Sequence, residues 1–379
     1  MSARPIPLIV LAAGGTAGHV FPAEALGREL LGRGCRVALV TDSRGTALGD
    51  FLAGGETHTI RAGGLAGKGV AARLRGGAEL ALGMWQARRL LGRLKPSVVV
   101  GFGGYASVPT MVAASLAGCR TAIHEQNAVL GRANRLLASR VSRIATSFEG
   151  CRAIPERSAD RVVHTGMPVR AAIAAMRERP YMPPSGDGTI RLMVVGGSQG
   201  ARIFSQVVPE AVTLLPEGLR CRLDIVQQCR PEDLAAANAI YQAHGITAEL
   251  KSFFDDIPDR LAAAHLIIVR SGASTVAEAL AVGRPAILVP YPHAIDDHQS
   301  FNAHAVAEAG GGWLMPQDGF TAPALAARLE SLLGVPATLE RAAAAARTVG
   351  RPDAATRLAD MVMDLMQAAG DGRPPRRDE

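Results

Sequence analysis

Apolar positions along this chain fall into two alternating patterns: short unbroken runs, and longer stretches with helical spacing. The runs LIVLA (8–12), VALV (37–40), VVV (98–100), LMVV (192–195) and LIIV (266–269) are continuous rather than alternating. That is the pattern of strands buried on both faces of a parallel sheet. The first run leads into Gly14-Gly15-Thr16-Ala17-Gly18-His19, and a helix is expected from about Phe21 to residue 34, with Pro22 in its first turn. CRVALVTD (35–42) is the next strand. Strand, glycine loop, helix and strand open a doubly wound α/β domain with the loop at its ligand-binding edge. LMVVGGSQG (192–200) then repeats VLAAGGTAG (10–18), so two similar α/β domains in tandem are expected.

The segments between fit that plan. Residues 61–95 combine a glycine-rich lead with a helix in which Leu80, Met84, Leu90, Leu91 and Leu94 are expected inward and Arg73, Arg75, Arg88, Arg89 and Arg93 outward. This reads either as a core helix with a solvated face or as a helix lying against anionic lipid. PSVVV (96–100) is a strand, followed by Gly101-Phe102-Gly103-Gly104-Tyr105-Ala106-Ser107. TAIHEQN (121–127) places His124, Glu125, Gln126 and Asn127 at a strand's carboxyl end, where polar groups belong to a site more often than to a core. RIATSF (143–148) is the expected last strand of the first domain. RVVHTGMPVR (161–170) carries the chain across, with Gly166 and Pro168 at a hinge and Arg170 just beyond. Helices are expected at 322–333 and over 338–368, and residues 369–379 read as a disordered tail. The expected domains are 1–166 and 167–349, with a helix at about 350–367 packing back on the first.

Composition narrows the class. The 379 residues are 48% hydrophobic, enough for two cores, and only 4% aromatic, which disfavours a nucleic-acid surface built on base stacking. Five cysteines without metal-ligand spacing fit a reducing cytoplasm. No apolar run approaches the roughly 18–20 residues that span a bilayer. The opening residues imitate a signal peptide but read as a first buried strand. Residues 1–165 hold 21 basic against 10 acidic side chains, while residues 166–379 hold 20 against 24. A basic amino-terminal half suggests an anionic partner there, a membrane surface or a polyanion.

The candidate chemistry centres on residues 269–303. Ser271 and Gly272 sit where a helix N-cap belongs, and residues 273–282 follow as helix formers until Gly283-Arg284-Pro285. A helix starting at a strand's carboxyl end offers unpaired N–H groups and a positive dipole end to a phosphate. Glu278, a turn and a half in, is within reach of a ribose diol. The next loop brings His293, Asp296, Asp297, His298 and Gln299 to the same rim. Two rival readings exist. GFGGYA matches the dinucleotide pattern G-x-G-x-x-A, with Glu125 about 20 residues on; against it, this strand is not the first of its domain and Pro109 interrupts the expected helix. His293, Asp296, Asp297, His298 and His304 are metal-ligand types, but half would come from one loop.

The ordered motifs GGTAGH, GFGGYAS, HEQN, TGMPVR, GGSQGARI, FFDDI, RSGASTVAE and DHQSFNA resemble those of the MurG family of GT-B glycosyltransferases, from about residue 8 to 367. One departure is Ala17, where the family usually has glycine; the DHQ loop is one of the family's variants. The resemblance implies two Rossmann-like domains facing across a cleft. The activity it implies is inverting transfer of N-acetylglucosamine from UDP-GlcNAc to undecaprenyl-diphosphate-MurNAc-pentapeptide (lipid I), giving lipid II for peptidoglycan. It implies no cofactor, no metal and no nucleic acid, and peripheral attachment at the cytoplasmic face of the bacterial inner membrane, where wall-synthesis or division proteins are candidate partners.

By motif, Ser198, Arg170 and the helix start at Ala273, Ser274 and Thr275, continuing through Val276 and Ala277, would hold the diphosphate. Glu278 would bind the ribose hydroxyls, and Phe254 would offer backbone groups to uracil. Gln299, with Thr16, Ala17, Gly18 and Asn127, would touch the GlcNAc. Gly14, Gly15, Gly103, Gly104 and Tyr105 would face the acceptor. An inverting displacement needs a general base on the acceptor hydroxyl and stabilisation of departing UDP. No D-x-D sequence offers a metal-chelated diphosphate, so Arg170 and the 271–275 helix start are expected to supply that charge. His19, kept neutral at a helix start, is the favoured base, with Glu125 the alternative.

Overall fold

The structure is a computed structural model and describes residues 6–15, 17–43, 55–62, 70–197 and 200–370. The chain divides into two units, the described parts of Met1–Arg170 with Asp353–Glu379, and Ala171–Pro352.

The first unit is built on seven parallel strands: β1 Leu8–Ala12, β2 Arg36–Thr41, β3 Glu56–Thr59, β4 Val98–Gly101, β5 Arg120–Glu125, β6 Arg143–Thr146 and β7 Val162–His164. Their order is β3-β2-β1-β4-β5-β6-β7, so winding reverses between β1 and β4. Successive residues of β1 serve opposite faces. Ile9 and Leu11 pack with Val20, Ala23, Leu26 and Leu30 of the Ala17–Gly32 helix and with Leu358, Val362 and Leu365 of the Ala354–Gly370 helix. Leu8, Val10 and Ala12 pack with Ala87, Leu90 and Leu91 of the Val70–Leu94 helix, and with Met111 and Leu137. Each fully buried Leu stabilises the fold by roughly 1.5–3 kcal/mol relative to exposure.

The second unit has six parallel strands: β8 Ile190–Val195, β9 Leu223–Gln228, β10 Thr247–Lys251, β11 Leu266–Val269, β12 Ala286–Leu288 and β13 Gly312–Leu314. The order is β10-β9-β8-β11-β12-β13, which reverses between β8 and β11. In open parallel sheets such reversal points, at the carboxyl ends of the strands, are where ligands bind.

Several local expectations change. The first helix starts at Ala17, not Phe21, so His19 lies inside its first turn and Pro22 inside the helix. Pro109 does not interrupt the next helix: it is the third residue of Ser107–Leu116, in a first turn whose N–H groups have no intrahelical acceptor. Residues 338–368 divide into Pro336–Val349 and Ala354–Gly370. Val162–His164 is a seventh strand rather than part of a connection. On the Val70–Leu94 helix, Leu90 and Leu91 are buried as expected, whereas Leu80, Met84 and Leu94 are half-buried. Small residues make the closest approach instead: a Cβ at Gly83 would meet the Arg61 carbonyl oxygen at 2.0 Å. Arg88, Arg89 and Arg93 are exposed, while the side chains of Arg73 and Arg75 lie outside those described.

Candidate functional site

In the first unit, the loops after β1 and β4 meet at the reversal point. A Cβ on Gly14 would lie 2.0 Å from the Ala106 Cβ, so only glycine permits this approach. Gly15, Gly103 and Gly104 all have left-handed φ. The half-buried His19 ring lies along these glycines: a Cβ at Gly103 would be 3.4 Å from its Cε1, and one at Gly104 3.2 Å from its Cδ2 and 3.6 Å from its Nε2. Tyr105 is 38% exposed beside them. Thr16 and the Ala17 side chain lie outside the described residues, and Gly18 is half-buried in the helix's first turn.

The HEQN segment follows β5 into the same region. Gln126 Nε2 donates to the carbonyl oxygens of Phe102 (2.9 Å) and His124 (3.1 Å), which turns its Oε1 toward His19 Nδ1 at 3.2 Å. His124 is fully buried, with Nε2 donating to the Gly166 carbonyl at 3.0 Å. Burial pushes its pKa from the ordinary 6.5 to about 4, with the neighbouring His19 adding to the shift. Glu125 is also buried, but both carboxylate oxygens are engaged. Oε1 accepts from the backbone and side-chain nitrogens of Asn127 (3.0 and 3.2 Å), and Oε2 from Gly131 N and Asn134 Nδ2 (both 2.8 Å). Its geometry is that of an anchor for the 127–134 segment, where Asn127 is half-buried.

In the second unit, the loops after β8 and β11 flank the other reversal point. Gly197 and Gly200 have left-handed φ, and Ser198 lies outside the described residues. The Ala273–Val282 helix has Gly272 as its N-cap and no side-chain cap among the described residues, which leaves the backbone N–H groups of its first turn for a ligand. Ser271, just before it, is fully buried, and its Oγ has no hydrogen-bond partner among the described residues. The buried Asn302 holds the Ser271 carbonyl at 3.0 Å. Val276 is buried while Ser274, Thr275, Ala277 and Glu278 are half-buried.

Gln299 accepts from Tyr291 N at 2.9 Å and so orders the 291–298 loop, which contains two consecutive left-handed residues, Asp296 and Asp297. Phe254 is buried, with the Arg260 guanidinium 4.6 Å from its ring centre and Lys251 Nζ at 5.6 Å. Arg170 is exposed at the end of the first unit. Among the described residues no group of three or more His, Cys, Asp or Glu side chains is placed to hold a metal.

The far end of the Ala273–Val282 helix is tied by three arginines. Arg177 donates to the carbonyls of Leu280 and Ala281 (3.4 and 3.2 Å), and Arg284, 1% exposed, to those of Val282 (3.3 Å) and Ala262. Arg177 and Arg347 donate to each other's carbonyls at 2.7 and 2.9 Å. Burial lowers the Arg284 pKa to about 10, still high enough to keep it charged at neutral pH. These arginines, Asn302 and the joint role of His124 with Gln126 are not separable from sequence. Arg284 sits between glycine and proline and reads only as a helix stop.

Two family models match, the glycosyltransferase family 28 N-terminal domain over residues 9–146 and its C-terminal domain over residues 191–358. A UDP-N-acetylglucosamine--N-acetylmuramyl-(pentapeptide) pyrophosphoryl-undecaprenol N-acetylglucosamine transferase of Paramagnetospirillum magneticum is 61% identical over 95% of this chain and 97% of its own. The protein of the same name from Rhodospirillum rubrum is 58% identical over 97% and 93%. The crystal structure of Acinetobacter baumannii MurG superposes with a TM-score of 0.79 at 30% identity, covering 95% of this chain and all of that one. The architecture is the GT-B fold of two tandem Rossmann-like domains, and the chain belongs to the MurG family of glycosyltransferase family 28.

Proposed function

We propose that this chain transfers GlcNAc from UDP-GlcNAc to the MurNAc 4-hydroxyl of lipid I, with inversion at the sugar carbon, to give lipid II for peptidoglycan synthesis. The observation that carries the reading is identity of 61% along almost the whole length of a relative named for this transfer. Geometry supports the assignment of roles. The first turn at Ala273, Ser274 and Thr275, continuing to Val276 and Ala277, which has no side-chain cap among the described residues, takes the donor diphosphate together with Ser198 and Arg170. Glu278 takes the ribose hydroxyls, Phe254 the uracil through its backbone, and Gln299, Thr16, Ala17, Gly18 and Asn127 the sugar. Gly14, Gly15, Gly103, Gly104 and Tyr105 take the acceptor.

His19 is the better base of the two candidates, because Glu125 already accepts four hydrogen bonds. It removes the proton of the 4-hydroxyl as that oxygen attacks the sugar carbon, and the bond to the diphosphate breaks on the opposite face. The negative charge on departing UDP is met by the helix terminus and Arg170.

We further propose that the first unit binds the cytoplasmic face of the inner membrane peripherally. No helix among the described residues is long and apolar enough to cross a membrane. The Val70–Leu94 helix instead exposes Leu82 (37%) and Trp85 (54%) beside Arg88, Arg89 and Arg93, and the helix packed against it exposes Leu116 (73%). Aromatic, aliphatic and arginine side chains together suit an anionic interface.

The test is transfer of labelled GlcNAc to a lipid I analogue, with and without EDTA. Transfer and UDP-GlcNAc binding should both survive EDTA. His19→Ala should lower turnover by roughly 10²–10⁴-fold while leaving donor affinity near normal; near-normal turnover removes His19 as base.

A further inference from the structure

Imidazole can carry its single neutral proton on either nitrogen, and only a histidine whose outward nitrogen is bare can accept a proton there. We propose that Gln126 is a positioning residue that fixes this choice for His19, holding the proton on Nδ1 so that Nε2 is the accepting nitrogen. The inference rests on the reading of His19 as the base.

Backbone carbonyls can only accept, so the two beside Gln126 Nε2, at Phe102 and His124, fix which end of that amide is nitrogen. Oε1 is thereby committed to the His19 side, and at 3.2 Å from Nδ1 it can be satisfied only by an N–H there. His124 secures the amide from behind. Its Nε2 gives its proton to the Gly166 carbonyl at 3.0 Å, so Nδ1 carries a lone pair and faces Gln126 Nε2 at 3.2 Å. Full burial keeps that ring neutral, so the lone pair persists at working pH. Hydrogen bonds therefore run in one sense, from His19 into Gln126 and from Gln126 into His124 and the backbone, the two hydrogens on Nε2 being shared among three acceptors, the Phe102 and His124 carbonyls and His124 Nδ1. Gly104, with φ +74°, lies along the same ring edge, where a Cβ would press on Cδ2 at 3.2 Å. A carboxylate in Gln126's place could also accept from Nδ1, but ionised it would face the Phe102 carbonyl without a proton to donate. Protonated, a glutamic acid reproduces both contacts.

The experiment uses full-length protein labelled with ¹⁵N-histidine, reading each ring nitrogen by long-range ¹H–¹⁵N correlation and assigning His19 by the signals lost in His19→Asn. Wild type should show His19 protonated at Nδ1 and bare at Nε2. Gln126→Met, which keeps volume but removes the acceptor, should abolish that preference. It should also lower kcat on a lipid I analogue by about 10²-fold with the KM for UDP-GlcNAc unchanged. Gln126→Glu should restore the Nδ1–H form and much of the lost turnover. His19 protonated at Nε2 in wild type, or an unchanged tautomer in Gln126→Met, overturns the proposal without touching the base assignment. A tautomer that shifts as expected while kcat stays constant overturns the base reading, and the positioning role with it.

Discussion

At the scale of single residues, two buried side chains next to each other in sequence are held in different ways. Glu125 is buried yet surrounded by four donors, whereas His124 is buried against one carbonyl and one amide. The histidine therefore makes stability depend on pH. Its folded pKa, about 4, lies below its ordinary 6.5, so only the unfolded chain takes up the proton between these values. Above pH 6.5 the residue costs nothing; as pH falls toward 4 it destabilises the fold, by roughly 3 kcal/mol at the end of that window. Urea midpoints of wild type and His124→Phe at pH 7 and 4.5 test this: wild type should lose more stability over the interval, and parallel losses would refute it. The sequence marks this segment as a site because four polar residues end a strand. It does not say which of them face ligand and which face each other. Hydrogen bonds with Gly131, Asn134, Phe102 and Gly166 decide that, and those partners lie 6–42 positions away.

At the scale of elements, strands and glycine loops were readable because continuous apolar runs and glycines at fixed offsets have few other uses. Helix starts were not. Pro22 and Pro109 suggested a beginning and a break, yet both lie within helices: Pro109 in a first turn that tolerates a missing N–H, and Pro22 at the sixth position of Ala17–Gly32, where it forgoes one backbone hydrogen bond. The Val70–Leu94 helix shows the limit of periodicity. Leucines suggested its inner face, but Gly83 and Ala87 make the close packing, leaving Leu82 and Trp85 outside with Arg89 stacked 4.8 Å from the indole. Replacing Arg88, Arg89 and Arg93 with glutamine should weaken binding to vesicles containing anionic lipid by about a hundredfold, at about 1 kcal/mol per arginine near the surface. Co-sedimentation at fixed ionic strength measures it, and unchanged binding would remove this face as the attachment surface.

At the scale of the whole molecule, the tandem repeat of VLAAGGTAG and LMVVGGSQG made two α/β units legible, and each sheet reverses its winding next to one copy of that loop. The division at Arg170 and the return of residues 353–370 to the first unit depend on packing between residues far apart in sequence. Leu358, Val362 and Leu365 complete the core over β1 and β4, and Arg33 bonds Asp360 at 2.6 Å across the same seam. Leu358→Ala should therefore destabilise the first unit by about 2–5 kcal/mol while leaving UDP-GlcNAc binding to the second intact, read by thermal unfolding and calorimetry. The arginines at the far end of the Ala273–Val282 helix have a consequence for how that helix breathes. Its last carbonyls are locked by Arg177 and Arg284, while its first amides have no side-chain cap among the described residues. Deuterium should enter the amides of 273–275 quickly and those near 280–282 only on global opening, and UDP-GlcNAc should abolish the gradient by slowing the leading turn alone.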